Sequence, residues 1–89
     1  MYQPKELGII STVVQITSDQ KPRQFPIGDL VIATAIFNKL KSSTEKDIFI
    51  ESEVDFTSEE KVFISKLVNE FSFPVVDGES VASLLEKIK

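Results

Sequence analysis

Apolar residues recur with a helical period in the C-terminal half of the chain. The sequence predicts a helix over 58–71, whose apolar stripe consists of Phe63, Ile64, Leu67, Val68 and Phe71. Thr57 and Glu60 have the spacing of a capping box, which marks the start of this helix. Pro74 disfavours helical geometry in the residue before it, so the helix ends before Pro74. A last helix is predicted over 77–88 from the apolar spacing of Val81, Leu84, Leu85 and Ile88.

A more apolar helix is predicted over 30–41. Asp29 suits its N-cap, and Lys39 and Lys41 suit the negative end of its dipole. Its polar positions make only a narrow stripe, so a helix of this kind is buried on more than one side. It is therefore either the central helix of the fold or part of a subunit interface.

Alternation of apolar and polar residues predicts a strand over 47–56. One face of this strand carries Ile48, Ile50, Ser52, Val54 and Phe56, and the other carries Glu51, Glu53 and Asp55. A β-hairpin is predicted before the first helix, from a strand over 9–17 rich in Ile, Val and Thr and a short strand over 24–27. Pro26 places the second of these strands at a sheet edge.

Together these elements predict one α+β domain over residues 1–89. The predicted order is β-hairpin–α–β–α–α, with a three-stranded, mainly antiparallel sheet and the helices packed on one face. No internal repeat is evident from the sequence. Three strands with covering helices suffice for an independent core, whereas an isolated hairpin does not.

Composition narrows the chemistry further. The chain has no Cys and no His, which excludes disulfides, thiol nucleophiles, Cys-type zinc sites and the commonest general base. No apolar run approaches the length of a membrane span, and the N-terminus lacks the basic and apolar regions of a signal peptide. A cytoplasmic location is therefore expected. No cofactor, metal site or catalytic residue is predicted.

The charge is unevenly distributed. The net charge is −4, and acids are concentrated in the second half of the chain. Since nucleic-acid affinity comes mainly from neutralising phosphates, direct nucleic-acid binding is not expected. Such a distribution favours one acidic face that meets a basic partner.

The sharpest polar feature is the acidic row of the predicted strand with the acids that follow it. The candidate partner-binding residues are Glu51, Glu53, Asp55, Glu59 and Glu60. The plainer interpretation is a solvated strand face that keeps a sheet edge from aggregating. A divalent cation is disfavoured, because carboxylates about 7 Å apart on a strand do not converge on one ion.

Three segments share the order and apolar pattern of a known group of proteins: residues 24–31, residues 53–60 with the helix after them, and residues 73–76 with the closing helix. In this arrangement the chain resembles small accessory proteins encoded by tailed phages and prophages. The resemblance implies a phage or prophage origin and a protein-binding role without catalysis. It transfers no functional residue.

The sequence therefore predicts a non-enzymatic interaction or accessory protein. Its acidic face would orient a protein partner, and any exposed part of the apolar helix would add affinity. A homodimer through that helix is the related expectation. One alternative is an acidic inhibitor that competes for a nucleic-acid-binding site on another protein. The other is a small ligand-binding domain or an enzyme, which would need a polar pocket.

Overall fold

The computed structural model describes residues 1–89, which form four α-helices, one 3₁₀ turn and one short hairpin. The helices are α1 (Pro4–Gln15), α2 (Ile27–Lys41), α3 (Ser58–Glu70) and α4 (Gly78–Lys87), with the 3₁₀ turn at Val75–Asp77. The strands are β1 (Thr44–Glu45) and β2 (Ile48–Phe49), which pair antiparallel. The predicted three-stranded sheet is therefore wrong, and the fold is mostly helical.

The N-terminal hairpin is the largest correction, because residues 9–17 lie mainly in helix α1. Its core face is formed by Leu7, Ile9, Ile10, Val13 and Val14, a spacing that only a helix brings to one side. Pro4 occupies the first helical turn, where its missing N–H costs nothing. The β-branched residues suit a strand by propensity, but burial on a helical face outweighs that preference.

The predicted strand over 24–27 is also wrong, because α2 begins at Ile27 directly after Pro26. Asp29 lies in the first turn of α2 and is not its N-cap. The other helical predictions are confirmed to within a few residues. In α3, Thr57 accepts a hydrogen bond from the Glu60 N–H at 3.1 Å, and Glu60 accepts one from the Thr57 N–H at 2.8 Å.

The predicted long strand over 47–56 shrinks to β2 followed by an extended segment. The alternation itself is present from Glu51 onward, since Ser52, Val54 and Phe56 lie inward and the acids between them are exposed. Ser52 exchanges two backbone hydrogen bonds with Tyr2, of 2.8 and 3.1 Å. Tyr2 and Ser52 form an isolated bridge, and no further ladder hydrogen bonds extend it, so this segment adds no strand to a sheet.

The structure reveals an internal repeat that the sequence analysis missed. Residues 2–17 align without gaps with residues 56–71, and residues 24–41 align with residues 72–89. We call residues 2–41 the N-terminal unit, residues 56–89 the C-terminal unit and residues 42–55 the connector. Nine aligned pairs are identical: Glu6/Glu60, Ile10/Ile64, Ser11/Ser65, Val14/Val68, Phe25/Phe73, Pro26/Pro74, Asp29/Asp77, Lys39/Lys87 and Lys41/Lys89.

The contacts between the two units are reciprocal. Glu6 pairs with Lys87 at 2.7 Å, and its counterpart Glu60 pairs with Lys39, the counterpart of Lys87. Each lysine also donates to a backbone carbonyl. Lys87 donates to the Met1 carbonyl, two residues before the N-cap of α1, and Lys39 donates to the Asp55 carbonyl, two residues before the N-cap of α3. Reciprocal contacts of this kind are those of a twofold arrangement.

Aromatic residues complete the same arrangement. Lys87 lies 5.9 Å from the ring centre of Tyr2, and Lys39 lies 5.9 Å from the ring centre of Phe56. The two rings, which are aligned counterparts, pack edge to face with their centres 5.5 Å apart. The core residues Ile10, Ile36, Ile64 and Leu84, two from each unit, are fully buried. The units thus bury one continuous core between them.

Two segments have no counterpart. Residues 18–23 are six additional residues between α1 and α2, closed at their base by backbone hydrogen bonds between residues 15 and 23 and between residues 17 and 21. The connector, which contains β1 and β2, occurs once because it joins the units. The connector still contributes to the shared core, through the Asp55 carbonyl that accepts from Lys39 and through Phe49 and Val54, which pack against the core.

Candidate interaction surface

The connector presents three carboxylates to solvent. Glu51, Glu53 and Asp55 are all exposed, and none of the four ion pairs in the structure includes any of them. They alternate along the chain with the less exposed Ser52 and Val54, and the Phe56 N–H donates to the Val54 carbonyl at 3.2 Å, so the backbone turns at Asp55. We call these three exposed carboxylates, which have no paired cation, the acidic row.

Shallow depressions lie beside this acidic row. One, of about 530 Å³, is lined by Tyr2, Val54 and both Glu53 and Asp55. Another, of about 260 Å³, lies between the same two acids and the end of α2, where Lys39 and Ser43 contribute. Residues 53–55 consequently form a ridge that a partner can contact from either side.

Glu59 adds a further exposed carboxylate in the first turn of α3. An acid there is stabilised by the positive end of the helix dipole. Glu59 takes part in no ion pair. It follows Asp55 by four residues along the chain, across the N-cap of α3. The structure thus leaves Glu59 available as the predicted extension of the acidic row.

Glu60 does not belong to the acidic surface, and this predicted site residue needs correction. Its side chain is buried, caps α3 and is paired with Lys39. Burial by itself raises the pKa of Glu60, but the hydrogen bonds from Lys39 and from the Thr57 N–H outweigh it and hold the pKa below its usual value. Glu60 therefore joins the two units and does not face a partner.

Helix α2 exposes an apolar stripe in its first turns. Ile27, Leu30 and Val31 are 81, 49 and 65 % exposed, and their spacing puts them on one side of the helix. The opposite side packs Ala33, Ile36 and Leu40 into the core. Within the single chain the first turns of α2 are therefore buried on one side only, and the alternative that this helix forms part of a subunit interface stays a prediction. Ile48 and Ile50 add exposed aliphatic surface beside the acidic row.

Two bases of the N-terminal unit are engaged in contacts within the chain. Arg23 donates through Nε to the Val13 carbonyl, and Lys39 forms the ion pair with Glu60.

No group of three or more carboxylates converges to hold a metal ion. No helix has both the length and the apolar character needed to span a membrane.

Sequence reasoning missed the Glu6–Lys87 pair. The Gln3 N–H donates to the Glu6 carboxylate at 2.7 Å, and Lys87 donates to the same oxygen at 2.7 Å. Burial alone raises the pKa of Glu6, but these two hydrogen bonds, together with Ser83 and the charge of Lys87, outweigh it and lower the pKa. The available signal was Pro4 preceded by Gln3 and followed by Glu6, the sequence of a capped helix start.

Comparison of the chain with known protein families, with curated proteins and with solved structures finds no match. A functional proposal therefore rests on the surface chemistry of the chain itself.

Proposed function

We propose that this chain is a non-enzymatic interaction or accessory protein, which binds another protein through the acidic row of the connector. The observation that carries the proposal is that Glu51, Glu53 and Asp55 lie at alternate positions of the connector, are all exposed and have no cation paired to them. Since like charges held side by side repel one another, a basic surface on a partner relieves that repulsion.

The partner has lysine or arginine side chains arranged along a line. Charges of this kind increase the rate of association and orient the encounter more than they add affinity. Ile48 and Ile50 precede the row along the chain, are exposed and supply aliphatic contacts next to it. The partner surface is therefore basic with apolar residues among the bases.

The apolar stripe of α2, formed by Ile27, Leu30 and Val31, is a second contact surface that adds affinity. Exposed apolar residues gathered on one helix face are typical of interfaces. The connector meets α2 at its C-terminal end, whereas the stripe lies in the first turns. A partner contacting both surfaces must extend along the helix. A second copy of the chain bound at the stripe is the homodimeric version of this proposal.

The exposure of the three acids also favours a second candidate function. Neighbouring carboxylates with no paired cation present negative charge to a partner, as a nucleic-acid strand does. An acidic inhibitor of a nucleic-acid-binding protein would use that likeness. The phage or prophage origin implied by the resemblance stays a prediction.

The test is affinity purification of the tagged chain from its own cells, at low and at high salt. The variant Glu51→Lys/Glu53→Lys/Asp55→Lys is purified beside it. The matched control is Asp19→Lys/Glu70→Lys/Glu79→Lys, which makes the same change in net charge at exposed positions outside the connector. One protein that is retained by the wild type and the control, and lost with the connector variant and in high salt, supports the proposal.

Other outcomes redirect or reject the proposal. A partner that stays bound at high salt, and that the connector variant also retains, moves the site to the apolar stripe of α2. A partner that nucleic acid displaces in competition establishes the inhibitor function. Retention of the same partner by the connector variant together with loss by the control rejects the acidic row as the binding surface.

A further inference from the structure

A cleft of about 250 Å³ lies between the hairpin and the helices of the N-terminal unit. Ser11 and Gln15 of α1 form one wall, and Phe37 and Lys41 of α2 form the next. The hairpin closes the cleft through Thr44, Asp47 and Phe49. Leu40 completes an apolar floor. The cleft is separate from the acidic row, so the proposal below is independent of the proposed function.

Only one of the two units has this cleft. Ser11 and Lys41 have the identical counterparts Ser65 and Lys89, so both units carry this part of the helical wall. The hairpin has no counterpart, because the connector occurs once. No cleft is found at the corresponding place in the C-terminal unit. The repeated framework therefore forms without this cleft, and the hairpin creates it.

The hairpin turn is held in a costly conformation. Lys46 and Asp47 have φ angles of 53° and 65°, and they are the two central residues of the two-residue loop between β1 and β2. Such turns favour Asn, Asp and Gly, because left-handed backbone geometry strains residues with a Cβ, and it strains lysine more than aspartate. Here the strained residue Asp47 lines the rim of the cleft. A glycine would form the same turn with less strain but would leave the rim without a carboxylate.

The cleft combines one positive and one negative side chain over an apolar floor. Neither Lys41 nor Asp47 belongs to any ion pair, and the Lys41 ammonium lies 4.9 Å from the ring centre of Phe37. Gln15 donates to the hydroxyl and the carbonyl of Ser11, at 2.7 and 3.1 Å, and its own side-chain oxygen has no hydrogen-bond partner in the chain. The site thus offers a cation, an anion and a spare acceptor.

We propose that this cleft binds a small zwitterion with an apolar side chain, namely a free α-amino acid. The Lys41 ammonium pairs with the carboxylate of the ligand, and the Asp47 carboxylate pairs with its ammonium. The apolar side chain of the ligand lies against Phe37 and Phe49. The volume falls just below the usual range for drug-sized ligands, which suits a molecule as small as an amino acid.

The experiment is an NMR titration of the ¹⁵N-labelled full chain with L-phenylalanine and L-leucine. Three analogues of phenylalanine serve as probes of the charges: N-acetylphenylalanine amide lacks both, hydrocinnamic acid lacks the ammonium and phenethylamine lacks the carboxylate. Saturable shifts at Ser11, Gln15 and Thr44 with an amino acid, and at least tenfold weaker binding of each analogue, are expected. No saturable shift with either amino acid, or equal binding of the uncharged analogue, would overturn the proposal.

Two glycine variants separate binding from folding. Asp47→Gly and Lys46→Gly each relieve one strained residue, so both should raise the melting temperature. Only Asp47→Gly removes the carboxylate, and it should weaken amino-acid binding at least tenfold while Lys46→Gly leaves the binding unchanged. Equal affinity in the two variants would show that Asp47 does not hold a ligand.

Discussion

The two units of this chain share a framework and differ in what they expose. In both, a glutamate caps the first helix and pairs with a lysine of the other unit, and an aromatic residue packs at the centre. At their surfaces they differ, since the exposed Leu30 and Val31 of the N-terminal unit correspond to Gly78 and Glu79. Each unit thus serves as an internal control for the other.

This comparison separates what the fold requires from what it tolerates. A side chain that recurs at equivalent buried positions serves the shared core or the ion pairs. Leucine and valine at positions where the other unit has glycine and glutamate are not required by the helix framework. The connector and residues 18–23 occur once, so their exposed side chains are the places where a function can be added without changing that framework.

The largest expected effect is at the centre of the core. Ile10→Ala and Ile64→Ala each remove aliphatic atoms from fully buried, equivalent positions. Each should lower the free energy of unfolding by about 3 kcal/mol, through lost burial and a residual cavity. Urea denaturation of both variants checks this. A large loss in one variant and almost none in the other would break the equivalence of the two units.

The ion pairs between units should come next. Glu6→Gln and Glu60→Gln remove the charge that binds a lysine and keep the side-chain shape, so each should cost about 1.5 kcal/mol. Combining Glu60→Gln with Lys39→Met in a double-mutant cycle measures the pair itself. If the single variants unfold at the wild-type urea concentration, the reciprocal pairs do not hold the units together.

Acid should weaken the same contacts. The pKa values of Glu6 and Glu60 are lowered in the folded chain, so their stabilisation is complete above the pKa of an unfolded glutamate. It is lost as the pH falls through the lowered folded values. The free energy of unfolding should therefore drop below about pH 4.3. The Glu6→Gln/Glu60→Gln variant should show a smaller drop over that range in urea titrations, and an identical drop would assign acid sensitivity elsewhere.

Replacing Gly8 should stabilise the chain, since the aligned position in the other unit, Val62, carries a side chain. Gly8 lies inside α1, and a Cβ built there meets no atom within 4 Å. Gly8→Ala should therefore raise the free energy of unfolding by about 1 kcal/mol, since glycine disfavours a helix interior. Thermal denaturation checks the shift. A lower melting temperature would mean that the α1 surface near Gly8 is tighter than the structure shows.

The smallest effect is expected at the apolar stripe of α2. Leu30→Ser and Val31→Glu alter exposed side chains whose counterparts are Gly78 and Glu79. Each should change the free energy of unfolding by less than about 0.5 kcal/mol. Urea denaturation gives the value, and light scattering of the same variants reports any self-association. A loss of several kcal/mol would show that the stripe belongs to the core.

The sequence predicted those elements whose local signals agree with their packing. The capping box at Thr57 and the apolar stripe of α3 both favour a helix, and the structure has one. In α1 the signals disagree, because β-branched residues favour a strand while Pro4 and Glu6 mark a helix start. Burial against the C-terminal unit decides between them, and that contact cannot be read from local sequence.

The candidate surface was predicted in part for a similar reason. Alternation identified Glu51, Glu53 and Asp55 as outward-facing, and they are exposed although no sheet forms. Glu60 was misassigned because its partner Lys39 lies in another helix. The repeat was missed because six additional residues, 18–23, change the register between the two aligned blocks.

The most direct test of the account measures stability and partner retention together for Glu51→Lys/Glu53→Lys/Asp55→Lys. Because the three carboxylates are exposed and belong to no ion pair, the variant should keep the wild-type melting temperature to within a few degrees. It should nevertheless lose the salt-sensitive partner that the wild type and the matched control retain. A variant that melts far below the wild type, or that keeps the partner, would contradict the separation of framework from function.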